Sequence, residues 1–271
     1  MVVKEPDALK TENEKVLIII YAIYEREILE QIKPYNVGQI DIIIYSLVDI
    51  ILPSGHLFPE INGKSCEDLL VLSLVQQIGL DTVKFLEIGV CHPVMRNNSY
   101  LLNELFSKRD GYQGVLVEAN PTCWNLIEEY RPQDKLLKIG ACGENSINSA
   151  EFYMFPSLLG HSTFSESKAD ELIERGYKCK KYDIEMKSIN NILDENFNVV
   201  PDILFLDAEG LDIEILQSCD LERWPFKIIV FEDPKEDVKE DVKYDFMSQY
   251  YVYARTVENI ILARNDIKLS I

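Results

Sequence analysis

YYVYARTVENIILAR, residues 250–264, decides the fold. It holds two β-rich runs, YYVYART (250–256) and ENIILAR (258–264), with almost nothing between them. So short a connection can join only antiparallel neighbours, because parallel strands need a crossover of about a dozen residues or more. The chain before it has a different texture. VKFLEIG (83–89), GVLVEAN (114–120), KLLKIGAC (135–142), PDILFLDAE (201–209) and KIIVFED (227–233) read as strands, and helices are expected over 97–109, 121–130 and 211–219. Strands alternating with helices predict a parallel sheet with right-handed crossovers. The expected architecture is therefore α/β, a mostly parallel sheet closed at one edge by an antiparallel hairpin. The interval 143–200 lies between the third and fourth strands, where an insertion facing a substrate would sit.

Upstream, residues 14–80 carry a helical pattern. Val16, Ile19, Ile20, Ile23, Ile28 and Ile32 approximate one helix face, which Pro34 ends. A second run, 38–52, stops at Pro53, and PSGHLFPEINGKS (53–65) reads as a loop. Ser65 is placed to cap a third helix, with Asp68 in the capping-box position. The expected organisation is an N-terminal helical extension over 1–80, acting as a lid or a dimer contact, and one domain over 81–271. The apolar runs VLIIIYAIY (16–24) and IDIIIYSLVDIIL (40–52) fall short of the roughly 20 residues needed to cross a bilayer. The charged stretch 234–245 reads as a solvated face.

A net charge of −19 argues against nucleic acid and anionic membranes as partners, since both present negative phosphates. The six cysteines, 66, 91, 123, 142, 179 and 219, form no CxxC pair, so neither a zinc knuckle nor a dithiol motif is present. Scattered single cysteines suit a reducing compartment, and the N-terminus lacks a signal-peptide shape. A cytoplasmic location is expected.

Ligands of open parallel sheets bind beyond the carboxyl ends of the strands. The first strand ends in Glu87-Ile88-Gly89, where glycine permits close backbone approach and Glu87 is expected to accept from an amino group. Dinucleotide loops need further glycines, and here Val90, Cys91 and His92 follow instead. The second strand ends in Glu118-Ala119-Asn120, a carboxylate suited to a pair of ribose hydroxyls. At the third strand's end Ala141 and Cys142 leave room for a flat ring. Asn97, Asn98 and Ser99 open the next helix and are expected either to meet a carboxylate or to cap it. Asp207 ends the fourth strand, and Glu232 and Asp233 end the fifth. Neighbouring strands lie about 5 Å apart, so three carboxylates would converge there and call for a cation or a shared proton. Oxygen ligands suit Mg²⁺, Mn²⁺ or Ca²⁺.

LEIGVCHPVMRNNSYLL, GVLVEANP, the RP at 131–132, EFYMF with HSTFSE, and FLDAEGLDIEIL followed by IIVFED together resemble the FkbM-type S-adenosylmethionine-dependent methyltransferases over residues 83–264. The resemblance implies a class I methyltransferase fold, a Rossmann-like sheet of seven strands, and methylation of hydroxyl groups on sugars, polyketides or other small metabolites. On that footing the expected activity is O-methyl transfer to a sugar or nucleotide sugar, for a surface polysaccharide or a glycosylated metabolite. Glu87, Gly89, Val90, His92, Asn98, Ser99, Glu118, Ala119, Ala141, Cys142 and Asp207 become the expected cofactor contacts. Some related sugar O-methyltransferases hold a divalent cation after strands four and five, which here implies Asp207, Glu232 and Asp233 with Mg²⁺ or Mn²⁺. The commoner first motif, Asp-x-Gly-Ala-Asn, is replaced here by Glu87 and the Cys91-His92 pair.

Methyl transfer to a hydroxyl also needs a proton acceptor. There are three histidines. His161, in the insertion, is the candidate base beside Asp207; His92 is placed near the cofactor, and His56 in the N-terminal loop. Two other classes compete: a catalytically silent Rossmann-like scaffold, and a nicotinamide-dependent oxidoreductase, which the lone Gly89 and the terminal hairpin oppose.

Overall fold

The computed structural model describes residues 16–20, 40–44, 63, 66–143, 148–232 and 248–267. The expectations for His56, Ser65, Asp233 and the charged run 234–245 fall outside these residues. The chain divides into two compact units, 1–61 and 62–271.

In the first unit β1 (Val16–Ile20) pairs in parallel with β2 (Ile40–Ile44), Val16 opposite Ile40 and Ile20 opposite Ile44. Strand replaces the helix expected at these positions. VLIII and IDIII are almost unbroken runs of β-branched residues, which crowd a helix at χ1 and suit a pleated strand. Short apolar runs of this kind cannot be told apart by periodicity alone.

The second unit begins before α1 (Glu67–Ile78), so this helix does not belong with an extension running to residue 80. The buried Glu67 accepts a hydrogen bond from the Asn259 side-chain amide at 3.2 Å, tying α1 to the terminal hairpin. Its N-cap is Cys66, with φ of 68° and no side-chain cap.

The rest runs β3 (Lys84–Ile88), α2 (Tyr100–Phe106), β4 (Gln113–Val117), α3 (Trp124–Tyr130), β5 (Lys135–Leu137), β6 (Gly140–Cys142), β7 (Ser149–Met154), α4 (Glu166–Glu174), β8 (Lys180–Ser188), α5 (Ile189–Asn196), β9 (Ile203–Leu206), α6 (Asp212–Ser218), β10 (Ile228–Glu232), β11 (Tyr250–Arg255) and β12 (Asn259–Arg264). Seven strands form the main sheet in the order β11-β12-β10-β9-β3-β4-β5. The pairs β10–β9, β9–β3, β3–β4 and β4–β5 are parallel; β12 is antiparallel to both β10 and β11. This is the mostly parallel sheet with an antiparallel terminal hairpin that the sequence predicts.

The central strands are apolar on both faces, as expected where helices cover a parallel sheet on each side. Leu86, Ile88, Leu204, Leu206, Ile229 and Phe231 pack with Ile189, Ile192 and Leu193 of α5 and with Ile215 and Leu216 of α6. Each such fully buried side chain contributes roughly 1.5–3 kcal/mol.

KLLKIGAC, read as one strand, is two. β5 ends at Leu137, and Gly140–Cys142 crosses into a second sheet of order β6-β8-β7. Gly140 sits against Met186 and Phe164, where a Cβ would lie 2.4 and 2.6 Å from their atoms. Gly140 pairs with Met186 of β8 in that second sheet, and the close approach leaves no room for a side chain there. The interval between the third and fourth main-sheet strands thus holds β6, β7, a 3₁₀ turn at Leu159–His161, α4, β8 and α5.

Candidate active site

A cavity of ≈ 300 Å³ opens where β3, β4, β9 and β10 end. Gly89 and Cys91 leave β3, Glu118, Ala119 and Asn120 leave β4, and Asp207 and Glu209 leave β9. Arg96 from the loop after β3, Glu232, Glu258 and, from the insertion, His161 and Ser162 add to its polar lining. Its apolar wall comes from Ile88, Val117, Ile139, Ala141, Phe152 and Phe164. The last two rings are tilted against each other with centroids 4.9 Å apart.

Glu118 organises the β3–β4 side. It is buried, and its two oxygens accept from the backbone N–H groups of Cys91 and Asn120, each at 2.6 Å. One carboxylate therefore ties two strand ends together. The Trp124 indole donates to the Glu118 carbonyl at 2.8 Å and fixes the start of α3. Burial pushes the Glu118 carboxyl up, and the surrounding backbone N–H groups oppose the shift.

Glu87 does not line the cavity. It lies behind the loop, fully buried, accepting from Asn97 Nδ2 at 2.9 Å and Ser99 Oγ at 2.6 Å. Arg131, 1% exposed, completes this network. Its Nη1 donates to Asn97 Oδ1 at 3.1 Å and to the Pro93 carbonyl at 3.2 Å, and its Nη2 donates to Ser99 Oγ at 2.9 Å. Its Nε bonds Asp134 at 2.6 Å, and Tyr112 donates to the same carboxylate at 2.6 Å. Burial pushes the Glu87 carboxyl up to about 7, with the Arg131 guanidinium pulling the other way. Asn97 and Ser99 are thus engaged in holding the loop. Val90, Asn98, Ser99 and Cys142 also lie outside the cavity lining.

Asp207 is open to the cavity yet deep among protein atoms. Desolvation, then the charges of Glu209, Asp212, Glu232 and Glu258, raise its carboxyl well above the usual range. Its openness leaves it partly hydrated. The loop after it is fixed by Asp212, whose oxygens accept from the backbone N–H groups of Ala208 at 3.0 Å and Gly210 at 3.2 Å. Asp207 and Glu232 share the cavity, while Asp233 is outside the described residues. Among the described residues, no three His, Cys, Asp or Glu side chains group as a metal site.

The described histidines differ in role. His161 lines the cavity. His92 does not; its Nδ1 accepts from the backbone N–H groups of Val94 at 3.1 Å and Met95 at 2.9 Å, which makes it a brace for its own loop. Desolvation lowers its pKa, in keeping with a neutral acceptor ring.

Sequence reasoning missed Arg131, Arg96, Glu209 and Glu258. Only Arg131 gave a signal, as the first residue of the RP pair. The others are ordinary surface residue types whose place becomes visible once the strand ends are brought together.

The sheet order and the cavity beyond the strand ends define the class I methyltransferase architecture. The chain belongs to the methyltransferase FkbM domain family, whose model matches residues 87–253. It is 25% identical over 150 residues to methyltransferase sdnD of Sordaria araneosa, covering 45% of this chain and 58% of that protein. The chain thus spans little more than half the length of this curated relative. Among solved structures, the human methyltransferase 10 domain containing protein matches 83% of this chain and 90% of its own at 13% identity, with a TM-score of 0.40. The delta-N METTL16 MTase domain matches 97% of each chain at 12% identity, with a TM-score of 0.39. Among the described residues no helix is long and apolar enough to cross a membrane.

Proposed function

We propose that the protein is an S-adenosylmethionine-dependent O-methyltransferase acting on a hydroxyl of a sugar, free or carried on a nucleotide. The observation that carries this reading is the meeting of Glu118, Asp207 and His161, from three separate segments, in one cavity beyond the strand ends. When bound, the cofactor supplies an electrophilic methyl group on a sulfonium.

The residues present fit such a ligand. The apolar wall formed by Val117, Ile139, Ala141 and Phe152 suits a flat heteroaromatic ring. The Glu118 carboxylate lines the cavity, where it offers an acceptor to a ribose hydroxyl beside the backbone N–H groups it already holds. The carboxylates lining the cavity favour a cationic sulfonium, and they offer acceptors to a hydroxyl-rich substrate. Asp207, open to the cavity, takes the hydroxyl proton as the oxygen attacks; its raised carboxyl makes it a stronger base than an ordinary aspartate. His161 orients the acceptor from the insertion side.

The family resemblance implies a cation on Asp207, Glu232 and Asp233. Its requirement is tested by including Mg²⁺ or Mn²⁺ as a variable. S-adenosylhomocysteine is titrated into the protein by calorimetry, with NAD as control. A sugar and nucleotide-sugar panel is then screened by mass spectrometry for a gain of one methylene, with and without the cation. Micromolar binding of the homocysteine compound together with a methylated sugar supports the reading. Binding of NAD instead, or methylation confined to amines, overturns it.

A further inference from the structure

Four non-glycine residues among those described have left-handed backbone, and three of them line the cavity: Cys91 (φ 51°), Arg96 (φ 55°) and Glu209 (φ 50°). Side chains with a Cβ enter this region at a cost, and such residues concentrate where a ligand must be met. Arg96 is the unusual member. Among the described residues lining the cavity it alone carries a permanent positive charge, against the carboxylates of Glu118, Asp207, Glu209, Glu232 and Glu258. In a chain of net charge −19 its exposed guanidinium nevertheless has no hydrogen bond or ion pair among the described residues.

We propose that Arg96 binds the α-carboxylate of the methionine moiety of S-adenosylmethionine. The inference rests on the cofactor assignment made under Proposed function. The argument is one of charge matching. An acidic cavity suits the ammonium and the sulfonium of this cofactor but repels its carboxylate, so that group needs a local cation. Asn97 and Ser99, the neighbours expected from the sequence to meet it, are held by Glu87 and Arg131 behind the loop. Arg96 leaves the same loop as Gly89 and Cys91, facing the cavity, with a planar fork that matches a carboxylate in two parallel hydrogen bonds.

The test compares S-adenosylmethionine with decarboxylated S-adenosylmethionine, which keeps the ammonium, sulfonium and adenosine, by calorimetry on wild type, Arg96→Gln and Arg96→Lys. Wild type should prefer the carboxylated ligand. Arg96→Gln should weaken that ligand by about tenfold to a hundredfold, the range for a charge-assisted hydrogen bond, and leave the decarboxylated one within about twofold. Arg96→Lys, a point charge without the fork, should fall between. The decarboxylated ligand also reports whether each variant still forms the pocket. Equal weakening of both ligands, or of neither, overturns the proposal while leaving the cofactor reading intact. If wild type binds neither ligand, the cofactor reading itself fails, and the proposal with it.

Discussion

Gly89 is packed against the Asp207 carbonyl so closely that a Cβ at Gly89 would lie 1.8 Å from its oxygen and 2.7 Å from its carbon. The two residues end the neighbouring strands β3 and β9, and Asp207 N–H donates to the Ile88 carbonyl at 2.9 Å. Gly89 also has φ of +85°. The lone glycine of the loop is therefore required twice, by its own backbone angle and by the close approach of the Asp207 carbonyl. Gly89→Ala should force the two strand ends apart, because the clash is with backbone and not with a movable side chain. The expected loss is about 2–4 kcal/mol in denaturant unfolding, in line with overpacking plus strain. Weaker binding of S-adenosylhomocysteine should accompany it, since both residues line the cavity. A variant with wild-type stability and affinity would show that this contact relaxes freely.

Glu87 gives a pH signature. Its ordinary pKa of 4.5 is raised to about 7 in the folded protein, chiefly by burial. A raised carboxyl favours folding while it is protonated. Its contribution is fully present below about pH 4.5, falls as pH rises, and is gone above about pH 7. The span corresponds to about 3 kcal/mol. Glu87→Gln removes the titrating group and keeps an acceptor for Ser99 or Asn97. The stability difference between variant and wild type should therefore shift in the variant's favour between pH 5 and pH 8 in urea titrations. A constant difference across that window would mean that Arg131 keeps Glu87 ionised throughout.

The parts of this fold legible in the sequence were those whose burial was complete. β9 is apolar on both faces, β3 is so apart from Lys84 and Glu87 and β10 apart from its last residue, and a run such as ILFL followed by a helix reads as a buried strand. The hairpin was legible because its connection is too short for anything else. The first unit was not: VLIII has the same composition in either element, and its parallel partner lies more than a dozen residues away. The break at 138–139 was hidden because Gly140 pairs with Met186 in the second sheet, a partner far along the chain. Glu118 and Asp207 could be placed from strand ends alone. Glu87 could not, because the distinction between a ligand-facing and a rear-facing carboxylate rests on the buried Arg131, and the RP pair at 131–132 does not say which carboxylate it meets.

Glu118 offers a separation of structure from binding. Its oxygens satisfy the backbone N–H groups of Cys91 and Asn120. Glu118→Ala leaves both donors without their acceptor in a buried setting, and should lower stability by about 1–3 kcal/mol. Glu118→Gln keeps one acceptor and loses the charge, so it should melt closer to wild type. Both variants should bind S-adenosylhomocysteine at least about tenfold more weakly, the loss of one charge-assisted contact. Calorimetry beside thermal melts separates the two effects. Undiminished affinity in Glu118→Gln would assign this carboxylate to the loop alone.

Asp207 carries the last prediction. If it accepts the hydroxyl proton, it must be ionised to work, and its carboxyl is held well above the usual range. Activity should then rise with pH along a limb displaced upward from that of an ordinary aspartate. Asp207→Asn keeps the shape and removes the base. It should lower kcat by about a hundredfold or more, the usual size of a general-base contribution, and abolish the limb. After burial, Glu209 is the largest cause of the raised pKa. Glu209→Gln removes that negative charge, so Asp207 should ionise more easily and the limb should move to lower pH. A pH–rate profile of kcat on wild type and both variants decides the matter. A limb unmoved in Glu209→Gln and still present in Asp207→Asn would place the titrating group elsewhere, with His161 the next side chain in the cavity to test.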